Sequence, residues 1–121
     1  MNKRTTVQEA VSHVKDGDVL MIGGFLQGGC PETLVKALVE TQVKDLTIVS
    51  NDTGTVELNT IKLQQQGRVK KVYATYIGAN PETGRMVIEK PASVELNPQG
   101  TLAERIRAAG AGIAAFLTPV G

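Results

Sequence analysis

The sequence predicts an α/β fold: an open, mainly parallel sheet with helices on both faces. Three observations carry that reading. Apolar, β-branched runs start near residues 19, 46, 69 and 93. Stretches of helical spacing separate them, and each run ends in glycine, asparagine or proline. Strands that alternate with helices form successive βαβ units, and such units give parallel pairing with right-handed crossovers.

Each element follows from local chemistry. Thr6-Val7-Gln8-Glu9 has the form of a capping box, and Val7, Ala10, Val11 and Val14 follow at helical spacing until Asp16-Gly17, so residues 6–15 are expected to be a helix. The continuous apolar run 18–22 predicts a strand covered on both faces. Pro31 suits the first turn of a second helix, with Leu34, Ala37, Leu38 and Thr41 along its apolar stripe. Residues 46–49 read as a strand and 56–66 as a helix closed by Gly67. The β-branched and aromatic run 69–77 is a third strand, and 93–96 a short fourth. Thr101-Leu102-Ala103-Glu104 is a second capping box, opening a helix through about residue 109.

Composition narrows the function. Thirteen basic and twelve acidic residues leave a net charge of +1 without a block of like charge, so neither nucleic acid nor an anionic membrane is an expected partner. With one cysteine and one histidine, the chain holds no internal disulfide and no His/Cys metal cluster, and a reducing, cytoplasmic setting is expected. The start MNKRTTVQEAV lacks the apolar core of a signal peptide, and no run approaches the roughly 18 apolar residues of a membrane span. The 121 residues are read as a single domain.

Open parallel sheets take ligands beyond the carboxyl ends of their strands. Those exits read Gly23-Gly24-Phe25, Ser50-Asn51-Asp52-Thr53-Gly54, Gly78-Ala79-Asn80-Pro81 and Asn97-Pro98-Gln99-Gly100. Side-chain amides and bare backbone N–H groups donate hydrogen bonds without adding charge, which suits them to carbonyl oxygens, carboxylates and the oxyanion of an acyl-transfer intermediate. Turn formation is the competing explanation for each exit taken singly. The first exit, GGFLQGGCP over residues 23–31, fits neither G-x-G-x-x-G nor the G-K-[ST] ending of a nucleotide P-loop. It is a loop whose backbone can pass close to a ligand before a helix begins.

The stretch DGDVLMIGGFLQGGCP, residues 16–31, resembles the signature of the family I coenzyme A transferases: an acidic residue and glycine, three apolar residues, GGF, then a glycine and a proline at fixed spacing. LTIVSNDTG, YIGANPETGR, PQGTLAERIRAAGAG and FLTPVG are also similar to the alpha subunit of 3-oxoacid, acetate or butyrate-acetoacetate CoA-transferases. Alpha subunits of that family are about twice this long, so the resemblance implies an N-terminal half within a three-layer fold. It also implies transfer of coenzyme A, as substrate, between an acyl-CoA and a short-chain carboxylic acid through a glutamyl-CoA thioester. The nucleophilic glutamate would lie on a beta subunit, in a serine-glutamate-asparagine-glycine context that this chain does not contain. By the same resemblance, Asn51 and Gln99 become candidate donors to the reacting oxyanion or the substrate carboxylate. The loop Gly23, Gly24, Phe25, Leu26, Gln27, Gly28 and Gly29 becomes the candidate coenzyme A contact.

Other readings stay open on the sequence. A non-catalytic module of the same fold would bind an acyl-CoA or a sugar phosphate, and a sugar-phosphate isomerase would want a base at a strand end, where Asp52 stands. Cys30 is either a reactive thiol or a small residue filling a tight turn. Arg85 and Arg107 are the cations available to a phosphate.

Overall fold

A computed structural model describes residues 4–121. Four parallel strands, β1 (Val19–Ile22), β2 (Leu46–Asp52), β3 (Val69–Tyr76) and β4 (Val94–Leu96), pair in sequential order. Five α-helices accompany them: α1 (Val7–Ser12), α2 (Glu32–Val39), α3 (Thr60–Gln65), α4 (Pro81–Glu89) and α5 (Gln99–Gly110). Right-handed crossovers in a sheet of monotonic order put the connecting helices on one side. Accordingly α1 packs on α2, α2 on α3 and α3 on α4. Helix α5 takes the opposite face, where Leu102, Arg105, Ile106 and Ala109 border a groove with Met21, Val49 and Tyr73. Helices therefore occupy both faces, as expected, but unequally.

The core lies between β1, β2 and the helices α2 and α3. Ile22, Val35, Leu38, Leu46, Ile48 and Leu63 form one buried cluster. Full burial of such a side chain is worth about 1.5–3 kcal/mol, so this cluster supplies much of the driving force for the fold. Alternation along β2 explains the division of roles. Leu46, Ile48, Ser50 and Asp52 are buried on the α2–α3 face, while Thr47, Val49 and Asn51 are half-buried on the α5 face.

Several expectations need correction. Strand β1 is not covered on both faces, because Val19 and Met21 are 62% and 63% exposed on the α5 side. In α2 the buried stripe is Val35 and Leu38, and Leu34 is exposed. Helix α3 starts at Thr60 rather than near residue 56. Helix α5 begins at Gln99, two residues before the expected capping box, so Thr101 lies inside the helix and Pro98 precedes it without a side-chain cap. At α1, Thr6 does accept from the Glu9 N–H, but the Glu9 carboxylate takes the Thr5 hydroxyl and does not return to the cap. Helix α4 carries its own start signal, the Asn80-Pro81-Glu82 sequence: Asn80 Oδ1 accepts from the Glu82 and Thr83 N–H groups, and Pro81 opens the first turn.

Arg68 ties the layers together. Its buried guanidinium donates to the Leu38, Val39 and Val43 carbonyls at 3.0, 2.9 and 2.5 Å and to Thr41 Oγ1 at 3.1 Å. These include the last carbonyls of α2, which have no partner within the helix.

Candidate active site

Strand β2 runs through Asp52, three residues beyond its expected end, so Ser50, Asn51 and Asp52 belong to a strand and not to a turn. Successive side chains must then point to opposite faces. Asn51 lies opposite Thr75, between the Ser50–Ala74 and Asp52–Tyr76 partners. Thr75 Oγ1 in turn donates to Gln99 Oε1 at 2.9 Å. Asn51, Thr75 and the first residue of α5 thus line one patch, on the α5 face at the carboxyl edge. The Asn51 side chain and Gln99 Nε2 have no hydrogen-bond partner among the described residues.

The amides at the other exits are spent on structure. Asn80 Nδ2 donates to the Thr53 carbonyl at 2.8 Å and to Gln64 Oε1 at 2.7 Å, and Gln64 Nε2 donates to Thr83 Oγ1 at 2.8 Å. Asn80 and Thr83 are almost fully buried, and this network joins α3, α4 and the loop after β2. Asn97 Oδ1 accepts from the Arg105 guanidinium. Arg105 also pairs with Glu95 at 2.7 Å, and its hydrogen bond is the first cause holding the Glu95 carboxyl below its ordinary pKa.

The glycine segment forms a tight hairpin. Phe25 and Gly28 exchange N–H···O bonds of 2.9 Å, leaving Leu26 and Gln27 at the tip. Leu26 has φ +52°, in the left-handed region. The Leu26 N–H donates to Asp52 Oδ2 at 2.6 Å, and the Gly54 N–H donates to Asp52 Oδ1 at 3.0 Å. The Phe25 ring lies 5.6 Å from that of Tyr76, and Gln27 Nε2 donates to Glu57. These anchors lie on the α2–α3 side. The glycine hairpin and the Asn51–Gln99 patch therefore share the carboxyl edge but lean toward opposite faces.

The glycines differ in what they do. At Gly24, φ is +127° and a Cβ would come within 3.0 Å of the Cys30 nitrogen and 3.1 Å of the Gly28 oxygen, so the fold itself demands glycine. At Gly23 φ is ordinary and a Cβ would meet nothing within 4 Å, which leaves that stretch of backbone open to approach from outside.

Beneath the hairpin is a cavity of about 20 Å³, bordered by Gly24, Leu26, Cys30, Ser50, Thr53 and Leu63 among others. A volume of that size holds about one water and excludes an acyl group. The Ser50 and Thr53 hydroxyls beside it are buried without a hydrogen-bond partner. Cys30 is not activated: burial first, then Glu32, pushes its thiol up to about 11. Asp52 is no free base, since both oxygens accept backbone N–H groups. Arg85 bonds Glu82 and Glu89, and Arg107 bonds Glu104, each within its own helix. Among the described residues no cluster of His, Cys, Asp or Glu could hold a metal ion, and no helix is long and apolar enough to cross a membrane.

Loops and polar groups collected at the carboxyl edge of a parallel sheet define a class of α/β proteins that receive ligands at that edge. The sequence profile described as Coenzyme A transferase matches residues 4–121, and the chain belongs to that family. It is 50% identical over 119 residues to the acetate CoA-transferase subunit alpha of Escherichia coli (strain K12), covering 98% of this chain and 54% of the relative. It is 49% identical over 110 residues to the acetoacetyl-CoA:acetate/butyrate CoA transferase alpha subunit of Clostridium acetobutylicum, covering 91% of this chain and 50% of that one. The chain thus spans about half the length of the curated relatives it matches. Among solved structures, a single-substitution variant of the decarboxylase AibA/AibB superposes with a TM-score of 0.74 at 22% identity, over 90% of this chain and 44% of that one, a likeness of fold alone.

Proposed function

We propose that residues 1–121 form the N-terminal part of a CoA-transferase alpha subunit. With a beta subunit, it moves coenzyme A between a short-chain acyl-CoA and a carboxylic acid such as acetate, acetoacetate or butyrate. The observation that carries the reading is the contrast among the exit amides: Asn80 and Asn97 are consumed by the fold, whereas the Asn51 side chain and Gln99 Nε2 are left, among the described residues, without partners on one patch. A side-chain amide left unspent at the ligand-binding edge is available to a substrate oxygen.

In this account a glutamate of the beta subunit attacks the thioester carbonyl, coenzyme A leaves as thiolate, and an acyl-glutamyl anhydride remains. The thiolate then attacks the glutamyl carbonyl and releases the acyl group as a carboxylate, leaving glutamyl-CoA. The second acid reverses these steps. Negative charge gathers on a carbonyl oxygen at each attack, and fixed donors stabilise it by about 2.7–4 kcal/mol apiece. Asn51 and Gln99 supply those donors. The open backbone at Gly23, with the hairpin 24–29, receives coenzyme A. The sugar-phosphate isomerase reading loses its base, because Asp52 is bound to two backbone N–H groups.

The test is acetate-dependent transfer of coenzyme A from acetoacetyl-CoA, measured on the complete natural gene product co-expressed with the product of the adjacent reading frame. Exchange that disappears when either polypeptide is omitted supports the reading. Ligand binding by this chain alone, without turnover in the mixture, overturns it in favour of a non-catalytic module.

A further inference from the structure

We propose that Asp52 is a positioning residue for the glycine hairpin: its carboxylate holds Leu26 in a conformation that leucine resists, and so sets the shape in which the loop meets its ligand. The proposal rests on the reading of residues 23–29 as the coenzyme A contact.

A two-residue hairpin turn calls for positive φ at its first central residue, which is why glycine or asparagine usually stands there. Here that residue is Leu26, at φ +52°. Its Cβ disfavours the left-handed region, so the turn needs a restraint from elsewhere. Asp52 provides it. The carboxylate accepts from the Leu26 N–H at 2.6 Å, and the charge on the acceptor makes this stronger than a bond between neutral groups. The other oxygen accepts from the Gly54 N–H at 3.0 Å, so one side chain ties together the loops that follow β1 and β2.

Asp52 is suited to the task by its place. It is the last residue of β2, it is 7% exposed, and it pairs in register with Tyr76, whose ring faces Phe25. The hairpin itself is different: Phe25 at its base and Leu26 at its tip are 55% and 41% exposed and contribute little to the core. Asp52 therefore does not brace the fold through this bond. It braces an exposed turn beside the open backbone of Gly23. An ionised carboxylate presents only acceptors, which match two N–H groups at once, whereas an asparagine amide has a single oxygen.

The experiment is a double-mutant cycle on the complete enzyme with its partner. Asp52→Asn is expected to raise KM for the acyl-CoA about tenfold with kcat changed less than about twofold, the pattern of lost uniform binding. In a chain already carrying Leu26→Gly, which adopts positive φ unaided, Asp52→Asn should raise KM less than about threefold. The Gly28 amide, bonded across the turn, should lose hydrogen-exchange protection in Asp52→Asn and keep it in the double variant, with β2 and β3 amides unchanged in both. An unchanged KM, a fall in kcat alone, or the same loss in both backgrounds overturns the proposal. If the wild-type enzyme transfers no coenzyme A, the functional reading fails and hydrogen exchange alone decides. Loss and rescue of Gly28 protection then uphold Asp52 as the loop's restraint, and unaltered protection removes it.

Discussion

Asn51 and Asn80 are the same residue type at two strand exits, and the structure predicts opposite consequences for removing them. The Asn51 amide bonds to nothing among the described residues, so Asn51→Ala should shift stability by no more than about 0.5 kcal/mol, the range of substitutions that break no specific feature. Its turnover should fall by about 10²–10³, the cost of deleting one donor to a developing oxyanion, with KM little altered. Asn80→Ala removes the cap of α4, worth about 1 kcal/mol. It also strands the Gln64 Oε1 that Asn80 Nδ2 satisfies, at a cost of about 1–3 kcal/mol when buried, while the Thr53 carbonyl keeps a bond from the Thr60 hydroxyl at 3.3 Å. A loss on the order of 2–4 kcal/mol is expected. Urea unfolding by circular dichroism measures the stabilities, and steady-state exchange measures turnover. If Asn51→Ala unfolds as readily as Asn80→Ala, or turns over like wild type, the division between spent and unspent amides is wrong.

Three further outcomes follow from single contacts. Gly24→Ala places a Cβ within 3.0 Å of backbone at a φ of +127°, so it should cost about 2–4 kcal/mol or displace the hairpin, visible in the same unfolding assay and as heightened proteolysis near residue 26. Arg68→Leu leaves the Val39 and Val43 carbonyls without their donor, while the Leu38 carbonyl keeps its bonds from Thr41, and should destabilise by about 3 kcal/mol; a variant that melts with wild type would deny Arg68 its role. Cys30, with its thiol pushed up to about 11, is protonated at neutral pH, so alkylation by iodoacetamide should be slow at about pH 7.5 and accelerate as pH rises toward that value. Rapid labelling at neutral pH would show an activated thiolate instead.

The order of strands and helices was legible because each strand is an apolar run bounded by turn residues, and sequential βαβ units leave little choice of topology. Boundaries were harder. The polar sequence Ser50-Asn51-Asp52 looks like a turn, yet pairing with Ala74 and Tyr76 extends β2 through it, an outcome of tertiary context that overrides local propensity. That extension decides the chemistry, since alternation sends Asn51 to one face and Asp52 to the other. Covering of β1 on both faces was misjudged because an apolar run does not say how much of it a single helix, α5, will reach. Asp52 as an anchor for the hairpin was not readable either. Leu26 gives no sign in sequence that it sits at positive φ, and the bond to Asp52 spans 26 positions of chain. The start of α4 is written in Asn80-Pro81-Glu82, a cap, a proline and an acid in order, yet those residues read equally as the turn that ends β3, and no helix is expected there from the sequence.

The most direct measurement is a crystal structure of the full natural polypeptide with the beta subunit proposed for it, trapped with a non-hydrolysable acyl-CoA. The account predicts the acyl carbonyl oxygen on the α5 face, within about 2.7–3.1 Å of Asn51 Nδ2 and Gln99 Nε2, and the coenzyme A chain passing along Gly23 and the hairpin. An acyl carbonyl bound on the opposite face, against Ser50 and Thr53, would contradict it.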